Sequence, residues 1–194
     1  PKSVAAGNSL ASELGADTVF VEAEVYGAAK SLGEQGIDLG FDFLYTGVGA
    51  LCWLPDVDKW AESLASVLKP GGFLFIREAH PVMWTLAGKH EDGSIALEYD
   101  YFEGPGLLLE VEETYAGTGK VPSPASVSFN HSLSAIFNAL WKHGFQVELF
   151  QEHNSIPWKP WDEDFEKDPD IDEYRLRNNP NRLPASYSLR ARLQ

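Results

Sequence analysis

Phe41-Asp42-Phe43-Leu44-Tyr45-Thr46, followed by Gly47-Val48-Gly49 and, one helix later, by Leu68-Lys69-Pro70-Gly71-Gly72-Phe73-Leu74-Phe75-Ile76, is the stretch that decides the fold. Its first six residues are aromatic and apolar enough to read as a strand, and the glycines after them mark a turn. Val57, Trp60, Ala61, Leu64, Val67 and Leu68 recur at spacings of three and four, which draws one apolar stripe down a helix. Asp56 stands where a carboxylate caps free N–H groups, and Lys69-Pro70-Gly71-Gly72 ends the helix. Phe73-Leu74-Phe75-Ile76 is apolar without alternation, as a strand covered on both faces requires. Strand, helix and buried strand together predict a crossover connection, a mostly parallel sheet and an α/β doubly wound, Rossmann-like fold. Ligands of such a fold sit beyond the C-terminal strand ends.

Outward from this centre, Lys2 to Leu14 reads as a weakly amphipathic helix closed by Gly15, and Thr18 to Glu22 as a short strand. Residues 84 to 128 hold two extended aromatic stretches, Leu97 to Phe102 and Leu107 to Tyr115, separated by Gly104-Pro105-Gly106; they predict a β-rich insertion. Leu133, Ile136, Phe137, Leu140 and Trp141 restore helical spacing up to Gly144. Phe145 to Phe150 and Ala185 to Ala191 predict closing strands, one of them antiparallel. Between them, His153 to Leu183 reads as a polar loop; at about 30 residues it is long enough to expect a function, such as a substrate lid. The whole of 1–194 is expected to form a single domain.

Composition narrows the function. The chain has 194 residues, 44% of them hydrophobic, which suits one globular core. Lys and Arg number 15 against 29 Asp and Glu, for a net charge of −14, so the basic face that a nucleic acid partner needs is not expected. No apolar run reaches the roughly 20 residues of a membrane span, and Pro1 to Leu14 does not read as a signal peptide. The single cysteine, Cys52, rules out an intrachain disulfide framework and a cysteine-based zinc site. These features favour a cytoplasmic protein.

The segment from Phe41 to Leu74, with its Leu68-Lys69-Pro70-Gly71-Gly72 turn, resembles the second half of a class I S-adenosylmethionine-dependent methyltransferase domain. Phe20-Val21-Glu22-Ala23-Glu24-Val25 is similar to that family's third strand, which ends in an acid for the adenine. Gly49-Ala50-Leu51-Cys52-Trp53-Leu54-Pro55-Asp56, Glu78-Ala79-His80-Pro81, Asn130-His131-Ser132-Leu133 and Leu183 to Ala191 resemble an uncharacterised bacterial branch of the small-molecule enzymes. One departure matters. The family opens with a strand, a Gly-rich turn and a second strand ending in a ribose-binding acid, and none of these is in the sequence. The resemblance therefore implies on the order of 60 further N-terminal residues, judged from the ~30 of a βα unit. A truncated or non-catalytic relative, kept as a binding or scaffold protein, is the alternative.

What the resemblance implies about the site follows residue by residue. The cofactor would be S-adenosylmethionine. Glu24 would accept from the adenine amino group and Val25 N–H would meet a ring nitrogen. Thr46, Gly47 and Val48 would line the lip where the methionine moiety lies, glycine permitting close approach. Methyl transfer from a sulfonium asks mainly for alignment and exclusion of water. A hydroxyl or protonated amine acceptor also needs a base, and His80 and His131, both at element ends, are the candidates, because imidazole titrates near neutral pH. Cys52 and Trp53 read as packing residues. His90, His143 and His153 have no such context, and no metal-ligand spacing is visible. Tyr99, Tyr101, Phe102, Tyr115, Trp158 and Trp161 form an aromatic set that would cover the sheet's end or close as a lid.

Overall fold

Edge strand β1 (Phe41–Thr46) lies parallel to β2 (Leu68–Ala79), in register from Phe43 opposite Phe73 to Thr46 opposite Ile76, as the Gly-rich turn and intervening helix predict. The computed structural model describes residues 2–89, 93–110, 124–161 and 164–194. In chain order these form α1 (Lys2–Leu14), α2 (Ala28–Glu34), β1, α3 (Val57–Val67) and β2, then the short strands β3 (Leu86–Lys89), β4 (Ile95–Leu97), β5 (Leu107–Glu110) and β6 (Ala125–Ser128). There follow α4 (Leu133–Lys142), β7 (Phe145–His153), β8 (Ser155–Ile156), β9 (Phe165–Lys167), β10 (Tyr174–Leu176) and β11 (Ser186–Leu193).

The central sheet has the order β1-β2-β11-β7 among the described residues. Strand β11 runs against both neighbours, from Ser186 opposite Ala79 and His153 down to Arg192 opposite Phe73 and Gln146. The sheet is therefore mixed: β1, β2 and β7 run one way and the closing strand β11 runs against them, so one pairing of three is parallel. The physical reason is that the last strand returns between β2 and β7, so a single reversed strand makes two antiparallel ladders.

Helices α3 and α4 cover one face. Asp56 caps α3 as its position predicts, its Oδ1 accepting from Asp58 N at 3.1 Å and Lys59 N at 3.0 Å. Trp60, Ala61, Ile136 and Leu140 from the helices pack on Leu74, Ile76, Tyr187 and Leu189 of the strands. The other face carries Phe43 against Phe73, Tyr45 against Phe75, and the Arg190 guanidinium 5.0 Å from the Phe73 ring. Phe43 is 47% and Tyr45 58% exposed, so among the described residues helices cover one side only, where a doubly wound sheet has two.

Two expectations fail locally. Thr18 to Glu22 is not a strand; it runs extended along α1, tied by Asn8, whose side chain bonds both Phe20 N and Phe20 O. The alternating residues there have β propensity, but without a neighbouring strand that propensity has nothing to pair with. The expected loop from His153 to Leu183 instead contains a small antiparallel sheet of order β8-β10-β9 over a second core of Met83, Ile156, Phe165, Leu176 and Leu183. Within 84–128, β3 pairs with β4 and β5 with β6; Tyr115 and His90 lie outside the described residues.

Candidate active site

The turn after β1 is shaped by a residue on the next strand. Glu78, on the core face of β2 and 2% exposed, accepts from Gly49 N at 2.9 Å, Ala50 N at 2.7 Å and Leu51 N at 3.2 Å. Gly49 has φ +79°, a conformation open to glycine at little cost, and this lets three successive N–H groups converge on one carboxylate. Burial pushes the Glu78 carboxyl above its ordinary range, and the hydrogen bonds oppose that rise. Thr46, Gly47 and Val48 thus form a lip whose far end is anchored to β2. Sequence reasoning placed Glu78 only inside a recognised segment and gave it no role.

The two candidate histidines differ in what their rings are free to do. His80, 3% exposed, accepts at Nδ1 from Val82 N, 3.2 Å away, which places its proton on Nε2. That nitrogen stands 3.1 Å from Glu152 Oε1, near enough for a charge contact but outside hydrogen-bond alignment. Burial holds the His80 ring below the ordinary histidine value, while Glu152 opposes the shift. Nδ1 is thus hydrogen-bonded, and Nε2 faces a carboxylate. His131, 6% exposed, uses only one: Nε2 lies 2.7 Å from the Leu54 carbonyl, so it donates there, and Nδ1 is left as a buried acceptor without a partner.

His131 lines a cavity of about 10 Å³, room for the centre of one water molecule, together with Glu78, Cys52, Asn130, Trp84 and Tyr187. His80 is not among its lining residues, although its neighbours Ala79 and Pro81 are. Adjoining this cavity is a chamber of about 600 Å³, within the usual range for small-molecule sites. Trp84 and Asn130 line both spaces. Of the expected aromatic set, Tyr99, Phe102 and Trp161 line the chamber, whereas Trp158 packs on the second core and Tyr101 meets the Phe102 ring edge-on at 5.2 Å.

Val25 lies beside the middle of α3. Ser63 Oγ donates to Val25 O at 2.6 Å, and Tyr26 Oη accepts from Asp56 N at 2.9 Å. The Glu24 carboxylate is exposed and caps its own turn, Oε2 accepting from Gly27 N at 3.1 Å. Among the described residues no group of three His, Cys, Asp or Glu side chains is placed to hold a metal ion.

Solved structures share this architecture. An S-adenosylmethionine-dependent methyltransferase from Clostridium acetobutylicum superposes with a TM-score of 0.58 at 7% identity, over 99% of this chain and 71% of that one. One from Mesorhizobium loti gives 0.56 at 20% identity, over 95% and 74%. The fold is that of the S-adenosylmethionine-dependent methyltransferases. A protein solved in work on converting a disulfide bond into a thioacetal group during echinomycin biosynthesis shares the methyltransferase fold at a TM-score of 0.52 and 15% identity, over 100% of this chain and 63% of that one. The chain therefore spans between 63% and 74% of the length of these three. No protein-family model and no curated protein matches the sequence. Within the methyltransferase fold, the lip after β1, the His131 cavity and the chamber all gather at the C-terminal end of β1 and β2. No helix among the described residues is long and apolar enough to cross a membrane.

Proposed function

We propose that this protein transfers a methyl group from S-adenosylmethionine to a small-molecule acceptor. The observation that carries the reading is the junction of a glycine lip after β1 with a chamber of substrate size at the strand ends, on a fold shared with methyltransferases. The cofactor lies along Thr46, Gly47 and Val48, with its adenine towards Glu24 and Val25. The acceptor enters the chamber and places its reacting atom near His131, whose free Nδ1 is suited to take the proton. His80, with Nδ1 hydrogen-bonded and Nε2 facing a carboxylate, holds the end of β2 in place. The Gly-rich turn that such a cofactor would need is not among the 194 residues, and the exposed Phe43 and Tyr45 mark the sheet face that a segment of that kind would cover. The acidic surface and the acceptor chamber fit a cytoplasmic enzyme working without nucleic acid.

The test is calorimetric titration with S-adenosylmethionine of the 194-residue chain and of a longer protein that carries a strand and Gly-rich turn ahead of Pro1. The longer protein is expected to bind and the shorter one not to. Absence of binding in both overturns the reading. A second reading, a non-catalytic protein on the same fold, draws on the Glu24 carboxylate being turned to Gly27 N, and that outcome would favour it.

A further inference from the structure

We infer that the acceptor has an apolar or aromatic body, a terminal hydroxyl or amino group, and no anionic group; this deepens the methyl-transfer reading and rests on it. The small cavity sets the terminal group. Three polar atoms of its lining residues have no partner: His131 Nδ1, Asn130 Oδ1 and Tyr187 Oη. Tyr187 is 1% exposed, so its hydroxyl has no recourse to bulk water. The roles of the other two are fixed by what their residues already do. His131 Nε2 donates to Leu54 O, and Asn130 Nδ2 donates to Pro81 O and Asp100 O, so both remaining atoms are acceptors.

Leaving such atoms unpaired costs about 1–3 kcal/mol each. A guest that relieves all three accepts one hydrogen bond from Tyr187 and donates to His131 and Asn130. A neutral amine does this outright, and its one lone pair must leave the Tyr187 hydroxyl before it can attack a methyl group. A hydroxyl donates to one acceptor at a time, and His131 is then the one that prepares it for attack. The place has room for the centre of one water molecule, which the tip of a ligand would displace.

The chamber sets the body and excludes the anion. Trp84, Tyr99, Phe102 and Trp161 present rings to it, with Leu86 and Leu107. Asp100 brings a carboxylate to its lining, with no Lys or Arg among the described lining residues. A carboxylate or phosphate would enter beside Asp100 and approach a second acid, Glu78, at the cavity.

The probes are 2-naphthaleneethanol, the matching amine, the matching carboxylate and 2-ethylnaphthalene, titrated without cofactor and followed by calorimetry and ligand-observed NMR. The alcohol is expected to bind at least about tenfold more tightly than the carboxylate, and more tightly than the hydrocarbon, and the amine, an ammonium at neutral pH, to gain affinity as pH is raised towards its pKa. Tyr187→Phe keeps the ring and is expected to bring the alcohol to within about threefold of the hydrocarbon. Trp161→Leu, on the chamber wall, is expected to weaken all four probes. A carboxylate that binds as well as the alcohol overturns the inference, as does an unchanged alcohol-to-hydrocarbon ratio in folded Tyr187→Phe. Probe discrimination without cofactor binding by the longer protein would remove methyl transfer alone. Cofactor binding without probe discrimination would remove this inference alone.

Discussion

Glu78 draws three backbone N–H groups from positions 27 to 29 residues earlier onto one buried carboxylate. Glu78→Gln keeps the shape but turns one acceptor oxygen into an NH2 group facing a donor, so it is expected to cost roughly 1–2 kcal/mol in urea unfolding. It should also weaken cofactor binding by the longer protein without touching the acceptor chamber. Nothing local in Glu78-Ala79-His80-Pro81 reveals this role, because the partners are distant in sequence. His80 carries a pH signature. Its folded pKa is depressed, so the stability tied to the neutral ring is present above about pH 6.5 and is lost as pH falls through the folded value. Protonation would also set an Nδ1 proton against Val82 N–H. His153, lowered by its own burial and by Arg77, falls in the same direction. Unfolding free energies measured between pH 7 and 5 are expected to decline, and His80→Gln to flatten part of that decline.

At the level of elements, the readable parts are those whose sequence pattern and packing agree. The stripe Val57 to Leu68 became α3 and the first residue of β2, the run Leu133 to Trp141 became α4, and the glycines before Phe73 lie within β2, where its register against β1 shifts. The second of them leaves no room for a side chain: a Cβ on Gly72 would lie 2.9 Å from both Lys69 O and Phe41 O. Gly72→Ala is therefore expected to push β1 and β2 apart at their start and to cost about 1–3 kcal/mol, the range for overpacking, by thermal or urea unfolding. Asp56→Ala, which removes the acceptor of two N–H groups, should cost about 1 kcal/mol. What escaped reading were elements too short to show a period. Strands β8, β9 and β10 have two or three residues each, and their pairing is set by the core beneath them. Thr18 to Glu22 failed the other way, its strand pattern being real but unpartnered. Among the candidate site residues, positions at strand ends were legible from the alternation of elements. The ring states of His80 and His131 were not, since each depends on a carbonyl, an amide or a carboxylate brought in by folding.

For the whole molecule, one face of the central sheet is sealed by helices and the other holds half-exposed aromatic rings. Helix α1 buries only Ala11, and α2 buries none of its residues. Amide exchange is expected to be fast in α1 and slow in β2, β11 and α3, and the longer protein should slow exchange along β1. The buried thiol of Cys52 supplies a gauge of how the molecule breathes. Burial, with Glu78 adding to it, pushes its pKa up to about 12. At pH 8 only about one closed molecule in ten thousand would carry the thiolate that alkylating reagents require. Iodoacetamide should therefore modify Cys52 almost wholly through transient opening of the wall between the His131 cavity and solvent. The labelling rate becomes a clock for that opening, and an occupant of the cavity would slow the clock even if it never reacts.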